Sequence, residues 1–96
     1  MRTIETLEIL IDDKDEGEEN STLTIEVPQK ISVYDLKRTI LYANGNKPFF
    51  LEFNISNSSM LSDLQQLIQS HHGKKANLNQ IKIYEKMDEF NLTIMN

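Results

Sequence analysis

Near the start of the chain two runs of alternating apolar residues flank ten polar ones, and this pattern narrows the fold more than any other feature. Residues 4–11 (IETLEILI) set Leu7, Ile9 and Ile11 on one side; residues 22–27 (TLTIEV) set Leu23, Ile25 and Val27 against Thr22, Thr24 and Glu26. A period of two belongs to a strand with one buried face. Residues 12–21 (DDKDEGEENS) are polar and contain Gly17, so the two strands are expected to form an antiparallel hairpin. The loop is longer than the roughly two to five residues usual in hairpins.

Pro28 ends the second strand, and the period then changes. Ser32 is set as an N-cap with Asp35 three residues on, and Val33, Leu36, Ile40 and Ala43 recur at helical spacing before Asn44-Gly45. The spacing predicts a helix over 33–43. Pro48 opens a third strand in which Phe49, Leu51, Phe53 and Ile55 alternate with Phe50, Glu52 and Asn54. Ser58 or Ser59 is expected to cap a second helix, with Leu61, Leu64 and Ile68 on its buried stripe. His71 and His72 fall in its last turn and Gly73 closes it. Ile81 and Ile83 mark a fourth strand, and a turn near 87–89 leads to a short fifth with Phe90, Leu92 and Ile94.

The predicted order is β-β-α-β-α-β-β, an α+β fold in which two helices cover one face of a mixed sheet. The expected core joins the two helical stripes to Leu7, Ile9, Ile11, Leu23, Ile25, Val27, Phe49, Leu51, Phe53, Ile55, Ile81 and Ile83, with Leu92 and Ile94. A chain of 96 residues fits a single domain over 1–96 and buries enough surface to need no staple. Residues 23–40 and 51–68 superpose at an offset of 28, with Asp35-Leu36 on Asp63-Leu64 and Ile40 on Ile68. Either a duplicated strand–helix unit or any strand followed by a capped amphipathic helix gives this echo.

The stretch TLTIEVPQKISVYDLKRTI, coming after a long first hairpin, resembles the second strand and first helix of the ubiquitin-like β-grasp family. MLSDL at 60–64 resembles the short helical turn before that family's last strand. The resemblance spans about residues 4–68 and implies a β-grasp-like fold. The chain ends NLTIMN where conjugated members carry a Gly-Gly tail that threads a narrow active-site channel, so a non-conjugated type is implied.

Charge and composition exclude several classes. The net charge is −5. Residues 1–28 hold nine acids against Arg2 and Lys14, and residues 29–96 hold six acids against eight bases. An acidic chain is repelled by phosphate backbones and anionic lipid heads, so direct nucleic-acid binding and membrane docking are not expected. No cysteine is present, which removes disulfides, Cys-ligated metal and thiol chemistry. No apolar run reaches the ~20 residues of a membrane span, no signal-like segment follows Met1, and a cytoplasmic setting is expected.

The motifs that carry chemistry fail on spacing. With Gly17 at position 6 of a calcium loop, Lys14 falls on a ligand position and Leu23 replaces the closing glutamate. His71 and His72 are adjacent, about 100° apart on a helix, and do not chelate as i, i+4 histidines do. Gly73-Lys74-Lys75 lacks the first glycine and the Ser/Thr of a phosphate loop. No G-x-S-x-G elbow exists, and the histidines have no acid nearby in sequence. No enzyme, metal or cofactor is expected. The four N-x-S/T sequons (Asn20, Asn54, Asn57 and Asn91) match the high Asn and Ser content.

What remains is surface. Alternation sends Leu10, Phe50 and Tyr84 to the outward face of the sheet, among Thr22, Thr24, Glu26, Lys82 and Lys86. There they form a contact patch if the strand order brings them together. The leading expectation is a non-catalytic module, monomeric or weakly oligomeric, that binds a protein partner through the outer sheet face or a sheet edge. The rival is an acidic inhibitor or decoy of phage type. It would occupy a basic nucleic-acid-binding surface through the loop acids Asp12, Asp13, Asp15, Glu16, Glu18 and Glu19.

Overall fold

The computed structural model describes residues 3–12 and 21–85. Within them the order is β1 (Ile4–Asp12), β2 (Ser21–Pro28), α1 (Val33–Ala43), β3 (Phe49–Leu51), α2 (Leu61–His72) and β4 (Gln80–Glu85). The strands form one mixed sheet in the order β2-β1-β4-β3, with β1 parallel to β4 and both outer strands antiparallel to their neighbours. Leu7, Ile9, Ile11, Ile25, Val27, Phe49, Ile81 and Ile83 of the sheet share one buried cluster with Leu36 and Ile40 of α1 and Leu61, Leu64 and Ile68 of α2. Sheet and helices are thus two layers around one core, as the apolar periods require. The predicted turn near 87–89, the fifth strand, Leu92, Ile94 and Lys86 lie outside the described residues.

The hairpin pairs antiparallel as predicted, with Ile9 opposite Leu23 and Leu7 opposite Ile25. Helix α1 runs as the spacing predicts. The Ser32 hydroxyl accepts the Asp35 N–H at 3.1 Å, and the chain leaves the helix through Gly45 and Asn46 at φ of 71° and 64°. A positive φ costs a side chain strain, which Gly avoids and Asn tolerates. Ala43 is a correction: it closes the helical pattern but faces solvent.

Two further predictions are corrected. The third strand stops at Leu51 instead of running to Ile55. The Glu52 N–H still donates to the Lys82 carbonyl at 3.0 Å, and the chain then bends toward α2. Phe53 and Ile55 pack against the core half-buried, from outside the strand. Alternation persisted in the sequence because those side chains reach the same core from irregular backbone.

Neither Ser58 nor Ser59 caps α2; Met60 holds the N-cap position. Its N–H is accepted by the Asp63 carboxylate at 3.0 Å, which also favours the positive end of the helix. The first N–H of each helix goes to the backbone just before the other helix. Val33 N–H donates to the Ser59 carbonyl at 2.7 Å, and Leu61 N–H to the Ile31 carbonyl at 2.9 Å. The Ser58 hydroxyl is occupied elsewhere in this loop, bonded to that of Ser56 at 2.9 Å.

Candidate interaction surface

The register decides what the outer face looks like. On β4, Lys82 and Tyr84 point away from the core, because Ile81 and Ile83 point into it. Leu10 lies beside Lys82, Asp12 beside Tyr84, and Phe50 directly opposite Tyr84 on the other side of β4. The three predicted patch residues therefore share one face. Phe50 and Tyr84 are cross-strand neighbours, and Leu10 is diagonal to Tyr84. Phe50 is 44% exposed, while Leu10 and Tyr84 are half-buried. The Lys82 ammonium sits 5.3 Å from the Tyr84 ring centroid and 3.7 Å from Asp12 Oδ2.

Asp12 is a correction to the predicted acidic loop. It is the last residue of β1 and is paired with Lys82, so it belongs to the sheet face. Asp13, Asp15, Glu16, Glu18 and Glu19 lie outside the described residues. Across the hairpin the same face turns polar, with Thr22, Thr24 and Glu26 exposed on β2.

Beyond Leu10 the face dips into a groove of ≈ 300 Å³, where Leu10, Ile68 and Ala76 meet a rim that includes Glu52, His72 and Lys82. Its polar rim is internally matched. His72 Nε2 lies 3.2 Å from Glu52 Oε2, and Gln80 Nε2 donates to Glu8 Oε1 at 3.1 Å. The Phe53 ring lies 4.7 Å from the His71 ring and 6.0 Å from that of His72. The histidine pair thus anchors the turn after β3, and the acid it meets is distant in sequence. Among the described residues no group of three or more His, Asp or Glu side chains is placed to hold a metal ion.

One surface feature escaped the sequence reading. Tyr34, Arg38 and Tyr42 line one face of α1, with the guanidinium 5.8 Å and 5.6 Å from the two ring centroids. Arg38 Nη2 donates to the Tyr42 hydroxyl at 2.8 Å. That bond, and then the one with Tyr34, holds the guanidinium pKa above its usual value. The i, i+4, i+8 spacing of Tyr, Arg and Tyr was the available signal.

Among the described residues no helix is long and apolar enough to cross a membrane. No family model matches the chain, and no curated protein matches it.

Proposed function

We propose that this chain is a non-catalytic protein-interaction module of ubiquitin-like, non-conjugated type, acting in the cytoplasm as a monomer or weak oligomer. It contacts its partner through the outer sheet face or the sheet edge at β3. The observation that carries the reading is Phe50, 44% exposed and directly opposite Tyr84 on the face that also holds Leu10. Exposed aromatic residues are enriched where proteins bind each other. The hairpin that packs against α1 supports the ubiquitin-like part of the reading.

A second reading, the acidic decoy for a basic nucleic-acid-binding surface, is favoured by Glu8, Asp12 and Glu26 on the outer sheet face and by the count of nine acids in residues 1–28. Salt separates the two. A partner captured from the native host is titrated against the parent, Phe50→Ala, and a variant with Asp13, Asp15, Glu16, Glu18 and Glu19 changed to Ser or Asn. The module reading expects about a tenfold or greater loss for Phe50→Ala and little salt dependence. A loss above tenfold in the acid variant, with a steep salt dependence and Phe50→Ala neutral, would reverse the order of the two readings.

A further inference from the structure

β3 is an edge strand, with β4 on one side and, among the described residues, no strand on the other. The Glu52 N–H donates to Lys82, one step beyond the Leu51–Ile83 pair, so hydrogen-bonded pairs fall at even positions of this segment. The N–H and C=O of Leu51 therefore point to the open edge. Along that edge runs a groove of ≈ 230 Å³ between Lys37 of α1 and the chain at Phe50, Leu51, Phe53 and Ile55.

Lys37 is the cation that lines this groove. Lys37 Nζ donates to Asn57 Oδ1 at 2.8 Å, and the ion pairs among the described residues, His72–Glu52 and Lys82–Asp12, do not include it. Glu52 also lines the groove, with its Oε2 3.2 Å from His72 Nε2. Partial burial lowers the Lys37 pKa. In sequence, residues 29–48 hold Lys30, Lys37, Arg38 and Lys47 against Asp35 alone, in a chain whose net charge is −5.

We propose that this edge takes an extended, acidic segment of a protein partner. The segment pairs its backbone with Leu51 as an added strand. Side chains two residues apart share a face, so one apolar side chain rests on Phe53 and Ile55 while an aspartate or glutamate two positions away reaches Lys37. The carboxylate supplies the counter-charge that the partly desolvated ammonium lacks. The proposal rests on the interaction-module reading and names the chemistry of the partner.

The probe is a capped octapeptide, Ser-Thr-Val-Thr-Glu-Thr-Val-Ser, titrated into the full chain labelled with nitrogen-15. The expected shifts fall on Leu51, Phe53, Ile55 and Lys37, and the Leu51 amide gains protection from exchange. A peptide with Gln for Glu, the Lys37→Met variant, and a peptide N-methylated at the amide facing β3 each bind at least fivefold more weakly. Lys37→Arg keeps the affinity. Shifts confined to Leu10 and Tyr84 overturn the edge proposal and leave the sheet-face reading standing. Equal binding by a peptide with Lys for Glu overturns it too. Edge shifts that grow with protein concentration, without peptide, make the occupant a second copy and overturn the peptide assignment. If the edge binds the probe while Phe50→Ala leaves the captured partner's affinity unchanged, the edge stands and the sheet-face reading fails.

Discussion

Ser32 and Met60, the N-cap residues of the two helices, face each other across an isolated antiparallel bridge. The bonds around it are reciprocal: Val33 donates to Ser59 and Leu61 donates to Ile31. Adding 28 to 31, 32 and 33 gives 59, 60 and 61, the offset of the echo in the sequence. The two strand–helix units thus meet at matching positions, and each satisfies an N–H that a helix end leaves without an internal partner.

Capping energies should follow this arrangement. Ser32→Ala removes the acceptor for Asp35 N–H and should cost about 1 kcal/mol. Met60→Ser places an equivalent hydroxyl three residues before Asp63 and should add about 0.5–1 kcal/mol. Ser58→Ala and Ser59→Ala should stay within about 0.5 kcal/mol, because neither hydroxyl caps α2. Urea denaturation of the four variants measures this; a loss near that of Ser32→Ala for Ser59→Ala would contradict the assignment of Met60.

The three phenylalanines in and just after β3 should split by burial. Phe49 is 3% exposed, and Phe49→Ala should cost about 3–5 kcal/mol by leaving a core cavity. Phe53, half-buried against His71, should lose less, about 1–3 kcal/mol on truncation. Phe50→Ala should lose under about 1 kcal/mol. Equal losses at Phe49 and Phe50, read from denaturant midpoints, would mean that the β3 register is wrong.

Gly73 ends α2 at φ of 92° with no atom within 4 Å of where a Cβ would stand. Gly73→Ala should therefore cost about 1 kcal/mol through backbone conformation alone. A neutral result in thermal melts would show that the turn relaxes to a negative φ.

Lys37 should titrate below its ordinary value of 10.5, because burial disfavours its charged form. In the window between its folded value and 10.5 the unfolded chain binds more protons at this site than the folded one. Stability from this group therefore rises with pH through that window and is lost as pH falls through the folded value. The ammonium is largely solvated, so the gain is small. Side-chain NMR follows the titration directly, and Lys37→Gln should erase the increment; an increment of opposite sign would place an acid beside Lys37.

Much of this architecture was readable in advance. The two periods located both helices and all four described strands, and the alternation of Leu10 with Ile9 and Ile11 sent it to the outer face. The alternation of Phe50 and Tyr84 did the same. Period two states which face a side chain takes but not which strand lies beside it, so the Phe50–Tyr84 contact needed the order β2-β1-β4-β3. The Glu52–His72 contact and the Lys37 groove join residues tens of positions apart, and no local pattern encodes them.

By itself the sequence determined the elements, because apolar periodicity, Ser32 and the glycines act over a few residues of backbone. Tertiary structure decided where β3 ends and what starts α2. Both depend on groups from distant segments competing for the same backbone donors: Lys82 holds the last rung at Glu52, and Ile31 satisfies the N–H of Leu61 that a serine was expected to govern. It also turned Asp12 from a loop acid into the partner of Lys82, since a charge at a strand end is placed by its neighbour across the sheet.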